Sequence, residues 1–393
     1  MFEYFEGNYT WNMAVNMALA LGASIGDIDD ASRGLRSVAR QNDDESAEKF
    51  FASWTRIAEK ERRLAQADEA RGRGLSAGDK YRRAAIYYVQ AERMQRPGFE
   101  PRKAAYAAFQ ECFRKFIELT SRRCERVQVP YKDTTLPALF VPADAPSQVG
   151  KAPCMVHFDG LDVMKELIYL LGMPEALATR GISTLVVDHP GVGEALRSQG
   201  LTNFPETEVP AAACVDYLQG RADVDPARIG MMALSLGGYL APRAAAFEPR
   251  FACCVAWGAN YDWGETQRKR AADKNSSLPV PHYWDHVGWV FGKKSLDEIM
   301  DMSHKLTLRD VLDRVCCPIL VVHGENDRQI SLEQARQTVA ECVNSPKAEL
   351  YVHTLAEGGA EHCSVDNIPL TREVISDWVA ETLGGFTARS REL

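Results

Sequence analysis

The sequence predicts an α/β protein in two parts: an all-helical segment over residues 1–122 and, from 123 to 393, a domain built on a mostly parallel central sheet. Three observations carry this. Up to about Thr120 the apolar residues recur three and four apart, the spacing of one helix face. After Arg123 eight short apolar runs alternate with helical stretches, which is how a parallel sheet wrapped by helices reads. The interval 261–311 then breaks the alternation: it is long, aromatic and interrupted by Pro279 and Pro281, as expected of a helical lid inserted above the sheet.

In the first part, one helix is expected from about Asp44 to Ala70 (Phe50, Phe51, Trp54, Ile57, Leu64). A second runs from Ala77 to Met94 (Tyr81, Ala84, Ile86, Tyr87, Ala91), and a third, opened by Pro101, runs to Leu119. Gly72, Gly74, Pro97 and Gly98 punctuate them. No 34-residue self-similarity supports a tetratricopeptide array. In the second part the strand runs are ERVQVPY, LPALFVPA, APCMVHF, ISTLVVD, RIGMMAL, FACCVAW, CPILVVH and AELYVHT, the first two an antiparallel hairpin. Helices are expected over 208–218, 238–246, 332–342 and 370–383.

The net charge of −8 argues against nucleic acid, which asks for clustered Lys and Arg. The basic patch Arg268, Lys269 and Arg270 is short and flanked by acids. The apolar run 13–23 contains Asn16 and follows Glu3 and Glu6, so neither a signal peptide nor a membrane span is expected, and the chain is expected to be cytoplasmic with no membrane partner. The ten cysteines then read as reduced small hydrophobes. They form no C-x-x-C pair; no metal site is legible and no cofactor is expected.

The chemistry centres on MMALSLGGYL, residues 231–240. A serine on a sharp strand-to-helix turn is lifted above the sheet, and the residues two away on either side must be small for strand and helix to approach. Here those residues are Ala233 and Gly237, one methyl away from G-x-S-x-G. A serine hydroxyl needs a base, and the base needs a carboxylate to hold its tautomer and balance its charge. Asp327 lies in the loop after the strand CPILVVH, and His362 in a glycine-rich loop before the last helix. The order Ser235, Asp327, His362, each past the end of a successive strand, is the α/β-hydrolase triad order. Glu325 is the weaker candidate acid, His323 and His353 fall on strands and read as packed residues, and Cys363 reads as a wall residue. Oxyanion donors are expected from the amide of Leu236 and from Gly160 or Leu161 in the loop HFDGLDVMKE. DHPGVGE, residues 188–194, lacks the lysine of a phosphate loop and the third glycine of a dinucleotide fingerprint, so nucleotide binding is not expected.

The helical first part together with D-G-L-D-x-x-K-E (159–166), D-x-P-G-x-G-E (188–194), S-L-G-G (235–238), E-P-R-F (248–251), W-G-A (257–259), H-G-x-x-D (323–327) and G-G-A-E-H-C (358–363) resembles the 2,6-dihydroxypseudooxynicotine hydrolase group of α/β-hydrolases. Bacterial esterases similar to the fermentation-respiration switch protein are close to that group. The resemblance implies Ser235, Asp327 and His362 as the triad, a helical cap domain over the active site that often contributes to a homodimer, and cleavage of either an ester or a carbon-carbon bond next to a ketone. Two residues depart from the group's pattern: Ala233 replaces the usual glycine, and Asp159 stands in the oxyanion loop where relatives often carry glycine.

The expected function is thus a serine hydrolase acting on a bulky, aromatic small molecule. The rivals are a non-catalytic regulatory protein on the same fold and an acyltransferase. Substrate contacts are expected from Tyr261, Trp263, Tyr283 and Trp284, and from Asp159 if it faces the lid or a cationic group.

Overall fold

Each apolar run becomes a strand. They are β1 (Glu125–Tyr131), β2 (Thr134–Val141), β3 (Ala152–Phe158), β4 (Ser183–Val187), β5 (Val224–Leu234), β6 (Cys253–Trp257), β7 (Ile319–Gly324) and β8 (Ala348–His353). The computed structural model describes residues 1–388 other than 42, 146–149 and 274–275. The strands join in one sheet in the order β1-β2-β4-β3-β5-β6-β7-β8. β1 pairs antiparallel with β2, and β2 with β4, while every pairing from β4 to β8 is parallel. β3, β4, β6 and β7 are buried along their whole length. Covered on both faces by helices, such strands read as unbroken apolar runs rather than as alternation.

From β3 the chain steps to β4 on one side and returns to β5 on the other. Ligands of open parallel sheets bind at such a reversal, beyond the carboxyl ends of the strands. The loop after β3 and the turn after β5 therefore meet where chemistry is expected.

The chain divides into two compact units, Met1–Arg123 with Ser277–His286, and Cys124–Ser276 with Val287–Leu393. In the first, helices span Tyr9–Ala20, Ile25–Ser32, Asp44–Glu69, Gly74–Arg93 and Pro101–Leu119. The long helix opens on a capping box, in which the Ser46 amide donates to Asp43 Oδ1 at 2.8 Å and the Asp43 amide to Ser46 Oγ at 3.1 Å. Its apolar face stacks Phe50 on Trp54, ring centroids 5.1 Å apart, and Trp54 meets Tyr87 of the next helix edge-on. The Arg102 Nε donates to Glu92 Oε1 at 2.6 Å in the interior of this unit, so the buried charges are paired.

The interval 261–311 carries helices Trp263–Ala272, Tyr283–Phe291 and Leu296–Ser303. Its residues 277–286 cluster with the helical unit rather than with the sheet. Among the described residues no helix is long and apolar enough to cross a membrane.

Candidate active site

β5 ends at Leu234, and Ser235 takes φ +63°, the left-handed region that side chains other than glycine rarely occupy. Holding a residue there costs about 1–2 kcal/mol. The strand is clamped between β3 and β6, and the Ser235 amide donates to the Trp257 carbonyl at the end of β6, 2.8 Å away. Helix Gly237–Phe247 begins two residues later. A Cβ on Gly237 would sit 2.5 Å from the Ala233 methyl, and one on Gly238 would sit 1.9 Å from the Gly258 carbonyl oxygen. With alanine at 233, position 237 has no room for a side chain.

Ser235 Oγ lies 2.8 Å from His362 Nε2, and His362 Nδ1 lies 2.7 Å from Asp327 Oδ2. The other oxygen of Asp327 accepts the amides of Gln329 at 2.8 Å and Ile330 at 3.0 Å. These bonds fix the roles: Nδ1–H donates to the carboxylate, which leaves Nε2 as acceptor for the serine hydroxyl. Burial pushes Asp327 up, but His362, His323 and the Gln329 amide outweigh it and hold the carboxyl below the usual range. Burial pushes His362 down, but the Asp327 carboxylate raises it well above an ordinary histidine.

The two loops that carry acid and base are bound to each other. A Cβ on Gly324 would meet the Ala360 carbonyl oxygen at 2.1 Å. Only glycine lets the chain before His362 cross the end of β7 so closely. The Asn326 amide donates to that carbonyl at 2.9 Å, while Asn326 Nδ2 and Arg328 donate to Glu361 Oε1. Asp366 accepts the amides of Gly359 and Glu361, closing the histidine loop on itself. Trp257 Nε1 donates to the Cys363 carbonyl at 3.1 Å. Trp257, Glu361 and Asp366 were not singled out from sequence; only the motifs W-G-A and G-G-A-E-H-C hinted at the first two.

Gly160 lies against the serine turn. A Cβ there would stand 2.6 Å from the Leu234 carbonyl oxygen, 2.8 Å from Ser235 Cβ and 3.3 Å from the Leu236 amide nitrogen. Leu161 and Leu236 are both buried beside it. Gly160 and the Leu236 amide therefore lie together against Ser235.

The other expected residues behave differently. Glu325 accepts the Leu355 amide at 2.8 Å in an exposed turn. His353 is buried and bonds Thr371 through Nε2 at 2.7 Å. His323 accepts the Ala259 amide on Nδ1 and donates from Nε2 to the Ile330 carbonyl, both at 3.1 Å, a neutral structural tautomer. Cys363 donates to the Trp257 carbonyl and sits 3.6 Å from His362 Nε2.

The Tyr261 hydroxyl is bonded to Glu341 at 2.9 Å, because helix Leu332–Glu341 lies beside it. Trp263 is buried against Phe291. Tyr283 and Trp284 form an edge-on pair within the helical unit. Asp159 is wholly buried: the pairing of Phe158 with Val187 carries it beside Asp188 at the end of β4.

The sheet, its reversal point and the serine turn define an α/β-hydrolase. A family model described as the prolyl oligopeptidase family matches residues 173–385, which include Ser235, Asp327 and His362, and the chain belongs to that family. It is 27% identical over 412 residues to the hydrolase LUC6 of Fusarium sp, covering 96% of each chain. It is 28% identical over 335 residues to the 2,6-dihydropseudooxynicotine hydrolase of Paenarthrobacter nicotinovorans, covering 85% of this chain and 84% of that one. The crystal structure of a 2,6-dihydroxy-pseudo-oxynicotine hydrolase superposes with a TM-score of 0.74 at 25% identity, covering 94% and 95% of the two chains. The protein is a hydrolase enzyme similar to these.

Proposed function

We propose that the protein cleaves an acyl bond by serine catalysis, with Ser235 as nucleophile, His362 as general base and acid, and Asp327 as the carboxylate that orients it. The observation that supports this most is the unbroken chain of hydrogen bonds from Ser235 Oγ through His362 to Asp327, at 2.8 and 2.7 Å. His362 Nε2 takes the hydroxyl proton as Oγ bonds to a substrate carbonyl carbon. The amides of Leu236 and of Gly160 or Leu161 receive the developing oxyanion. Collapse of the tetrahedral adduct breaks the bond to the leaving group, which takes the proton from His362. Water then repeats the sequence on the acyl-serine and frees the acid.

The leaving group is an alkoxide if the substrate is an ester, protonated on oxygen, or an enolate if it is a β-diketone, protonated on carbon. The similarity to a 2,6-dihydropseudooxynicotine hydrolase supports a bulky aromatic small molecule in either case. Turnover of an aryl ester and of an aryl β-diketone, measured side by side with Ser235→Ala as control, separates the two. Release of acid from the diketone assigns carbon-carbon cleavage, and hydrolysis of the ester alone removes it. A fluorophosphonate probe is expected to label Ser235, and labelling that survives Ser235→Ala would sink the assignment.

Gly160→Ala tests the oxyanion loop. The added methyl overlaps the Leu234 carbonyl and Ser235, so the loop must retreat from the nucleophile. We expect kcat to fall by about 10²–10³-fold, the scale of one lost oxyanion donor, with KM changed far less. An unchanged kcat would place the second donor elsewhere.

A further inference from the structure

Behind the oxyanion loop lies a buried charge cluster that the reaction does not use. Lys165 Nζ is 2.8 Å from Asp188 Oδ2, 2.6 Å from Glu194 Oε2 and 2.9 Å from Glu166 Oε1. Asp188 also accepts the Lys165 amide on Oδ1 and the Glu194 amide on Oδ2, each at 2.8 Å. Arg126 reaches the outer edge, 2.9 Å from Glu194 and 3.9 Å from Glu166. Three carboxylates thus converge on one buried ammonium, with a guanidinium at the rim.

Asp159 is a fourth carboxyl in this neighbourhood and has no place in the pairing. It is completely buried, and among the described residues neither of its oxygens has a hydrogen-bond partner. The charged groups that act on it are Asp188 at the end of β4, Glu166 and Lys165 on helix Lys165–Leu170, and Asp162 in its own loop. His189 packs beside the Asp159–Gly160 backbone, but its Nδ1 donates to the Pro190 carbonyl and burial pushes it down to about 4, so it offers no positive charge. An unpaired carboxylate in such a place costs several kcal/mol, and the group keeps a proton instead. Burial first, then Asp188 and Glu166, raise Asp159 well above the usual carboxyl range.

We propose that Asp159 is a positioning residue: it enters the fold as a neutral carboxylic acid and keeps the oxyanion loop seated against Ser235 only while it holds its proton. It immediately precedes Gly160, whose backbone has no slack against Leu234, Ser235 and Leu236. Once ionised, Asp159 would be driven toward water or toward Lys165, and either movement would pull Gly160 from its seat. The link to the oxyanion loop rests on the proposed serine mechanism; the protonation state does not.

The test compares wild type with Asp159→Asn, which has nearly the shape of the neutral acid and cannot ionise. Infrared spectra at neutral pH are expected to contain the carbonyl band of a protonated carboxylic acid that shifts when the protein carries isotope-labelled aspartate and is lost in D159N. The label separates Asp159 from Glu166, which burial and its acidic neighbours also raise. In the folded state Asp159 holds a proton that the unfolded chain has released. The folding constant of wild type relative to D159N should therefore fall by up to about tenfold per pH unit as pH rises above the ordinary carboxyl range, levelling off only once Asp159 ionises in the fold. The kcat/KM of D159N should stay within an order of magnitude of wild type at neutral pH and lack the loss of activity that wild type suffers on the alkaline side.

A missing aspartate band overturns the neutral acid, whatever the activity. A band that is present, with the same alkaline fall in both proteins, overturns the link to the loop. If D159N does not fold, the titration of the labelled band in wild type against its own pH-rate profile gives the same two decisions. Activity that persists in Ser235→Ala would instead refute the serine mechanism and leave the aspartate band untouched.

Discussion

Ser235→Ala is expected to lower kcat by about 10⁴–10⁶-fold while leaving the fold intact, because on the proposed mechanism the hydroxyl 2.8 Å from His362 Nε2 is the group that attacks the carbonyl and forms the ester. The sulfur of Cys363 is also near, at 3.6 Å, but it is turned to donate to the Trp257 carbonyl. The substitution keeps Cβ and therefore keeps the left-handed strain at φ +63°. Ser235→Gly removes that strain as well as the hydroxyl. It should be as inactive as alanine yet more stable than alanine by up to about 1 kcal/mol. Turnover and thermal unfolding of the two variants check both halves. Glycine no more stable than alanine would mean that the surrounding sheet, not the residue, sets the conformation of the turn.

That turn was readable in advance because its constraints are local. Ala233 and Gly237 flank the serine at the two positions where a side chain would block strand from helix, and a close approach of this kind leaves small residues in the sequence. The strands were readable for a similar reason: APCMVHF and CPILVVH are covered on both faces, so burial appears as an uninterrupted apolar run. Asp327 could be placed because it follows the second of these runs, and His362 because it follows β8, a half-buried edge strand still marked by Leu350, Tyr351 and Val352.

Contacts between distant segments left no such trace. Nothing in a sequence shows that Glu341 will lie beside Tyr261, or that residues 277–286 will cluster with helices more than 150 positions earlier. The surroundings of Asp159 were hidden for the same reason. Its meaning depends on Asp188 and Lys165, which reach it through the sheet and the following helix, and a lone acid beside glycine reads as a solvent-facing or ligand-facing group. The bonds of Glu361 to the acid loop, of Asp366 within the base loop and of Trp257 to Cys363 were likewise invisible. None of these residues has a distinctive sequence mark until the tertiary structure gives it a partner.

Asp327→Asn should produce the second largest loss, and its pH dependence carries more information than its size. On the proposed mechanism the base is active only when His362 is neutral, so kcat/KM of the wild type should rise with pH through the histidine's own pKa, which Asp327 holds well above the ordinary value. Asparagine removes the charge that raises it, while the burial that lowers it remains, so the acid limb of the profile moves to lower pH. At the plateau the rate falls by about 10⁴-fold, since a side-chain amide can turn its NH₂ toward Nδ1 and leave the proton on Nε2, where it blocks the serine hydroxyl. The two amides of Gln329 and Ile330 that now bond Asp327 Oδ1 favour keeping an acceptor on that side, which points the NH₂ toward His362 and reinforces the wrong tautomer. A pH-rate profile of D327N that keeps the wild-type limb while losing rate would show that Asp327 only packs against His362, and that another group sets the histidine's charge.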